Sequence, residues 1–305
     1  MRLSRTFALG ASMLVLLSAC STGGGGGKPT IKIGSDGFDE ARVVAEVYAQ
    51  VLEANGYTVD RAGIGLGARK VTAAALESGQ IDLKPEYIGS GLVYYGGTST
   101  NDPAKNLADL QAKLTAVGGG ITAFAYTPGQ DTNALVVTKE TADANSLANW
   151  SDLTAVAGEL KWGLATDCPT NPVCATALKD AYGIDIATLD VTLLDACSTP
   201  MADALKAGTI DVAELCSTGP EIIVNGWVRL EDDKKTQPAD AIAPIVRNDL
   251  LAKVGDKAAF QKLFDDVSAK IDTPTLADLY KQVSVDKKDT KDVASTWLKA
   301  QGIIK

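Results

Sequence analysis

Apolar residues along this chain fall into short runs and helical repeats that alternate. Residues 30–36, Thr-Ile-Lys-Ile-Gly-Ser-Asp, predict a strand. Over 38–55 the apolar positions Val43, Val44, Val47 and Leu52 recur at helical spacing. Tyr57-Thr58-Val59 predicts a second short strand, 70–78 a helix stopped by Gly79, and Ile81-Asp82-Leu83 a third strand. Strand–helix–strand–helix–strand order makes an α/β lobe with a mainly parallel sheet. A second series begins at Leu160-Lys161-Trp162-Gly163-Leu164 and continues through a helix predicted over 175–182.

The two series echo each other. Ala75-Leu76-Glu77-Ser78-Gly79-Gln80-Ile81-Asp82-Leu83 matches Ala204-Leu205-Lys206-Ala207-Gly208-Thr209-Ile210-Asp211-Val212 at a constant offset. Continuing that offset sets Tyr87 opposite Cys216, each at the carboxyl end of a strand, where open α/β sheets bind ligands. A repeat with facing strand ends places a cleft between two lobes. Asn133-Ala-Leu-Val-Val-Thr138 reads as a β-rich segment leaving the first lobe, and residues 241–247 as one returning to it. Charged and apolar residues then alternate at helical spacing through Trp297-Leu298, which predicts helices packing back on the first lobe. The expected organisation is lobe 1 over 30–132 and 241–305, and lobe 2 over 133–240.

The amino terminus sets the address. Met1-Arg2-Leu3-Ser4-Arg5 leads into an apolar stretch that is too short to span a bilayer and ends Leu17-Ser18-Ala19. Cys20-Ser21-Thr22 and the glycines 23–27 follow. The arrangement reads as a signal peptide over 1–19, and Cys20 after Leu-Ser-Ala resembles the bacterial lipobox. That resemblance implies a lipidated Cys20 and a flexible tether over 20–29. The expected location is extracytoplasmic, on a membrane surface, with lipid as the sole membrane contact.

Charge and composition narrow the chemistry. Losing Arg2 and Arg5 with the leader moves the formal charge from −9 to −11. An acidic chain with no basic cluster is a poor partner for nucleic acid. There is no histidine, which excludes serine–histidine and cysteine–histidine nucleophiles and histidine-ligated zinc. Cys168, Cys174, Cys197 and Cys216 in an oxidising compartment favour two disulfides over a metal cluster, with three connectivities open. Pairing of sequence neighbours, Cys168–Cys174 and Cys197–Cys216, is the expectation. No metal or other cofactor is expected.

Several stretches then resemble solute-binding proteins of ABC importers for glycine betaine, choline, carnitine and related osmoprotectants. They are Ile33-Gly34-Ser35 with Phe38 and Glu40, Tyr48-Ala49-Gln50, Leu52 to Tyr57, Leu66-Gly67, 75–83 and Pro85-Glu86-Tyr87-Ile88-Gly89-Ser90-Gly91. Further on come Ala181-Tyr182-Gly183, Cys216-Ser217-Thr218, Leu230-Glu231-Asp232-Asp233, Ala243-Pro244-Ile245-Val246-Arg247, Val293-Ala294 and Trp297-Leu298. The resemblance is collinear over nearly the whole mature chain. It implies a type II-like periplasmic-binding-protein fold, two α/β lobes joined by two hinge strands and closing over a ligand.

The same resemblance implies a ligand site that has diverged. Relatives that bind quaternary ammonium ions use a tyrosine cage. Here Tyr87 keeps one wall, while Asn133, Cys216 and Asp240 stand at the other wall positions. Asp36 stands where a lysine is common, Asn171 where an arginine is common, and Arg69 where a threonine is common. The implied ligand-binding set is Asp36, Phe38, Arg69, Tyr87, Asn133, Asn171, Cys216, Ser217, Thr218 and Asp240. The expected function is a monomeric, non-enzymatic receptor that hands a small polar, zwitterionic solute to an ABC permease. Two further classes stay open beside it: a genuine betaine or choline binder, and a surface-anchored enzyme of carboxylate chemistry.

Overall fold

The computed structural model of the chain describes residues 28–305; the expected leader, Cys20 and the glycine run lie outside the described residues. In chain order the strands are β1 (Thr30–Asp36), β2 (Thr58–Gly67), β3 (Leu83–Tyr87), β4 (Ile121–Ala123) and β5 (Asn133–Val137). They continue with β6 (Lys161–Ala165), β7 (Asp190–Leu194), β8 (Val212–Cys216), β9 (Val228–Arg229) and β10 (Ile242–Arg247). They form two five-stranded sheets, ordered β2-β1-β3-β10-β4 and β7-β6-β8-β5-β9. In each sheet one strand runs against the rest: β10 pairs antiparallel with β3 and β4, and β5 with β8 and β9. These two strands are the ones the chain delivers after crossing from the other sheet.

The repeat read from the sequence is built into both sheets. In the first, Asp82 accepts from Lys32 N at 2.9 Å and returns its own N–H to Lys32 O at 2.7 Å. In the second, Asp211 and Lys161 make the same pair at 2.9 and 2.7 Å. A Cβ on Gly34 would sit 2.4 Å from Ile81 Cδ1, and a Cβ on Gly163 would sit 2.4 Å from Ile210 Cδ1. The aspartate therefore ties the incoming turn to the sheet, and the glycine leaves room for the isoleucine before it. Gly79 and Gly208 both adopt the left-handed conformation that ends the preceding helix.

Three element boundaries move. The third strand starts at Leu83 and runs to Tyr87, later than the Ile81-Asp82-Leu83 expected. Ile81 and Asp82 instead form the anchored approach, and the charged Lys84 and Glu86 disguised the true strand. The second strand, expected over Tyr57-Thr58-Val59, extends to Gly67. The helix expected over 175–182 begins at Ala177, after a π-turn at Pro172–Thr176.

Packing follows strand alternation. On β10, Ile242 and Val246 join the core formed with helix Asp39–Ala54 and the carboxyl-terminal helices, while Ala243 and Ile245 enter the core on the opposite face. On β5, Leu135 and Val137 point to one core and Ala134 and Val136 to the other. Residues 248–305 supply Phe260, Phe264, Leu276, Leu279, Val293 and Leu298 to the first sheet's core, as their spacing predicted.

The two crossings lie side by side. Asp131 N donates to Asp240 O at 3.2 Å, beside a Gln130–Ala241 bridge. Ser217 Oγ accepts from Thr132 N and donates to Gln130 O, both at 3.0 Å, fixing the outgoing crossing to lobe 2. Gly129 seats it on lobe 1, its N–H 2.9 Å from Ile271 O. A Cβ at Gly129 would lie 2.6 Å from Asp272 C and 2.7 Å from Ile271 O, both backbone atoms. Gly129→Ala is therefore expected to cost about 1–3 kcal/mol through overpacking, read as a lower urea midpoint.

Both expected cysteine pairs are bonded, Cys168–Cys174 and Cys197–Cys216, with sequence separations of 6 and 19. The longer bridge ties the end of β8 to the turn before helix Thr199–Lys206. Replacing Cys197 and Cys216 together by serine should lower unfolding stability by about 2–4 kcal/mol. An unchanged denaturant midpoint would show that the bridge constrains nothing of consequence.

Candidate ligand cleft

A cavity of about 600 Å³ opens between the sheets, lined by Arg69, Ser90 and Tyr94 of lobe 1, Asp131 and Asp240 of the crossings, and Asn133 and Cys216 of lobe 2. Four residues of the expected ligand set, Arg69, Asn133, Cys216 and Asp240, thus share one cavity. Cys216, at the end of β8, lines the cavity, whereas Tyr87, at the end of β3, is buried and is not among the lining residues, although Gly89 and Ser90 just after it are.

Arg69 begins helix Arg69–Ser78 and is held on both sides. Its Nε lies 3.0 Å from Glu86 Oε1 and its Nη2 donates to Ser90 Oγ at 2.7 Å. Glu86 in turn lies 3.1 Å from Lys84 Nζ, and Lys84 lies 2.7 Å from Asp36. Lys84, Asp36 and Glu86 are all buried, and the Thr72 hydroxyl completes the chain by bonding Asp36. Two cations and two anions form a neutral quartet. Charges removed from water persist when paired in this way. Asp36 is thus occupied inside lobe 1 by Lys84 rather than set in the cleft, and the charge of Arg69 is already balanced by Glu86.

Asp240 caps the opposite approach. Its Oδ1 accepts from Gly89 N at 2.8 Å and Ser90 N at 3.1 Å. Burial raises its pKa to about 6, against the lowering pull of those donors and of Arg69. A Cβ on Gly89 would lie 2.5 Å from Ala239 O, so glycine there lets the crossing come close enough to bond.

The remaining expected residues divide. Asn133 Nδ2 donates to Glu214 Oε1 at 3.0 Å, which holds it at the cleft wall. Phe38 is 44% exposed, and its ring centroid is 5.7 Å from that of buried Tyr87. Asn171 is not among the residues lining the cavity; it accepts from Val173 N and donates to Asp167 as it caps the π-turn. Ser217 is committed to the crossing described above. Thr218 is 1% exposed, and its Oγ1 has no hydrogen-bond partner among the described residues. The one group of three metal-type ligands among the described residues, Cys168, Cys174 and Glu214, has its two sulfurs bonded to each other, which removes both thiolates.

Two acids outside the expected ligand set belong to this region. Glu40, in the first turn of helix Asp39–Ala54, is 1% exposed and accepts from Tyr87 Oη at 2.5 Å. Burial first, and Asp131 next, raise its pKa to about 8, while the Tyr87 and Thr218 hydroxyls oppose the rise. Asp131 is raised too, by burial, with Thr218 again opposing. Glu40 Oε2 and Asp131 Oδ1 are both buried without a hydrogen bond among the described residues. Glu40 had entered the sequence reading only as part of a resemblance. Asp131 gave no signal, being one more acidic residue in a loop.

Comparison with known proteins agrees with this architecture. A family model described as the substrate binding domain of ABC-type glycine betaine transport systems matches residues 29–300. The glycine betaine-binding protein YehZ of Escherichia coli K12 is 28% identical, over 96% of this chain and 97% of its own. A glycine-betaine-binding protein of Pseudomonas aeruginosa is 26% identical, over 90% of this chain and 89% of its own. Among solved structures, one described as a glycine betaine/carnitine/choline ABC transporter superposes with TM-score 0.77 at 24% identity, covering 90% of this chain and 99% of that one. Apo YehZ superposes at 0.76 with 23% identity, covering 90% and 99%. At those identities the structural likeness speaks for the fold, and the family match, covering most of the chain, speaks for kinship. This chain belongs to the family of substrate-binding domains of ABC-type glycine betaine transport systems.

Proposed function

We propose that this substrate-binding protein captures a small zwitterionic or cationic solute in its interlobe cleft and presents it to an ABC permease outside the cytoplasm. The observation that carries the ligand class is the charge of the cleft. Arg69 and Lys84 are balanced by Glu86 and Asp36, while Asp240, Glu40 and Asp131 make no salt bridge among the described residues. Asp240 is ionised above about pH 6 and Glu40 joins it above about 8, and this unbalanced negative charge recruits a positive one. Arg69 Nη1 makes no hydrogen bond among the described residues, so it can still meet a carboxylate end.

The remainder of the reading concerns setting. Among the described residues no helix is long and apolar enough to cross a membrane. Lipid on Cys20 would then be the anchor and the glycine run its tether, with the body acting as a monomer. Capture needs only a difference in ligand affinity between open and closed lobes, so no turnover is expected. A product appearing when candidate solutes are incubated with the protein would favour the carboxylate-enzyme class instead.

A calorimetric panel of glycine betaine, choline, carnitine, amino acids and other polar metabolites tests the ligand class. Asp240→Asn keeps the oxygen that accepts from Gly89 and Ser90 while removing the charge. It should weaken the best solute about tenfold or more at pH 8. In the wild type, affinity should fall as pH drops through about 6, where Asp240 takes up its proton. The variant should lose that step. Micromolar glycine betaine binding that depends on Tyr87 but not on Arg69 or Asp240 would instead establish a quaternary-ammonium site.

A further inference from the structure

We infer that Glu40, Asp131 and Thr218 form a subsite for a protonated amine that retains at least one N–H. This deepens the receptor reading and rests on it for which end of the solute enters here. Two carboxylate oxygens that make no hydrogen bond among the described residues carry the inference, Glu40 Oε2 and Asp131 Oδ1, with the single Thr218 hydroxyl beside both. Glu40 and Thr218 are each 1% exposed, so bulk water does not reach these side chains freely. Thr218 lies close enough to both acids to counter the rise in their pKa, which puts the three groups in one place. Asp131 also lines the cleft, so the cluster has an approach from the solute cavity.

The chemistry of the vacant acceptors selects the class of cation. Ionised carboxylates only accept hydrogen bonds. An ammonium with N–H groups can donate to Glu40 Oε2 and Asp131 Oδ1 while neutralising both, in short charge-assisted bonds. A trimethylated nitrogen brings charge but no donor, and would leave Glu40 Oε2 and Asp131 Oδ1 to compete for the one Thr218 hydroxyl. Tyr87 and Phe38 border the cluster, so a partly methylated amine still meets an aromatic face.

Position adds a second consequence. Glu40 belongs to lobe 1, Asp131 to the outgoing crossing, and Thr218 to the turn after β8 in lobe 2. Glu221, in the lobe 2 helix Pro220–Asn225, is raised by burial and feels Asp131. That helix packs against lobe 1 helix Thr273–Ser284, where burial and then Glu40, Glu221, Asp39 and Asp131 push the Tyr280 hydroxyl up to about 12. The other groups acting on Glu40 are Tyr87 and Asp240, and none of these neighbours is a cation. Acidic side chains from both lobes thus share this region, and an ammonium among them would tie the two lobes together.

Small cations test the subsite without needing the natural solute. Thermal melts of the full chain in methylammonium chloride and in tetramethylammonium chloride, at matched concentration near 0.1 M and pH 9, compare the two directly. Methylammonium is expected to raise Tm by about 2 °C or more over tetramethylammonium. The difference should vanish in the Glu40→Gln/Asp131→Asn double variant, whose amides preserve shape. Because Glu40 holds its proton up to about 8, the wild-type difference should also grow from pH 7 to pH 9. That pH series decides the matter if the double variant does not fold. Equal shifts with both salts, a difference that survives in the variant, or one that is flat with pH would overturn the subsite. Such a result would leave the receptor reading standing, whereas a silent solute panel with a methylammonium response intact would overturn the receptor reading alone.

Discussion

Each half of this molecule is completed by a strand that the chain delivers only after crossing from the other half. Without β10 the first sheet would have no neighbour to join β3 to β4, and without β5 the second would lack the same link between β8 and β9. The two cores are therefore interdependent, and the crossings cannot drift as loose linkers. They are pinned by Gly129 to the Ile271 carbonyl, by Ser217 to Gln130 and Thr132, and by Asn106 Nδ2 to Ala239 O at 2.8 Å. Because β3 and β8 lie beside the delivered strands, their carboxyl ends, Tyr87 and Cys216, are brought next to the crossings. The cleft and its acids are a consequence of that connectivity.

Electrostatics then separates structure from function inside one small region. The Asp36–Lys84–Glu86–Arg69 quartet is internally neutral, and its members use their strongest interactions on one another. Such an arrangement orients Arg69 rigidly and leaves little charge for a ligand. Glu40 and Asp131 are the opposite case, buried without a cation, and the cost of that appears as raised pKa values rather than as lost structure. Acids whose pKa is raised by burial beside a cleft are candidates for a functional role. The quartet chiefly holds lobe 1 together, while the acid pair has no such internal balance among the described residues.

Much of the fold was legible because it obeys local rules. Glycine-stopped helices, the Ile-Asp step and the β-rich crossings each require particular residue types, and the repeat exposed them twice. The extra matches at Lys32 with Lys161 and Gly34 with Gly163 lie on the same offset and went unread, since each needs a partner some fifty residues away to acquire meaning. The third strand was misplaced for a similar reason. Leu-Lys-Pro-Glu-Tyr does not look like a central strand until Asp36 and Arg69 arrive to pair Lys84 and Glu86. Arg69, Asn133, Cys216 and Asp240, expected at a ligand through resemblance to relatives, line the cavity between the sheets. Asp36 and Asn171 were assigned to a ligand in the same way, and the first pairs with Lys84 while the second caps a turn. Glu40 and Asp131 were unreadable as a pair, because nothing local distinguishes an acid in a helix's first turn from an ordinary favourable helix end.

Closure supplies the last step. A receptor of two lobes is driven toward closure only by what its ligand gains in the closed form over the open one. Here part of that gain is relief of repulsion, since Glu40 comes from one lobe, Glu221 from the other, and Asp131 stands between them. Protonation can relieve it, and Glu40 does so near neutral pH, but a proton fills one orphaned oxygen and leaves the rest. A cation with several donors relieves the repulsion and satisfies the orphans together. In the amine subsite inferred above, the acids that oppose one another without a ligand would also be the ones that select it, so discrimination would follow from hydrogen-bond donors as well as from charge.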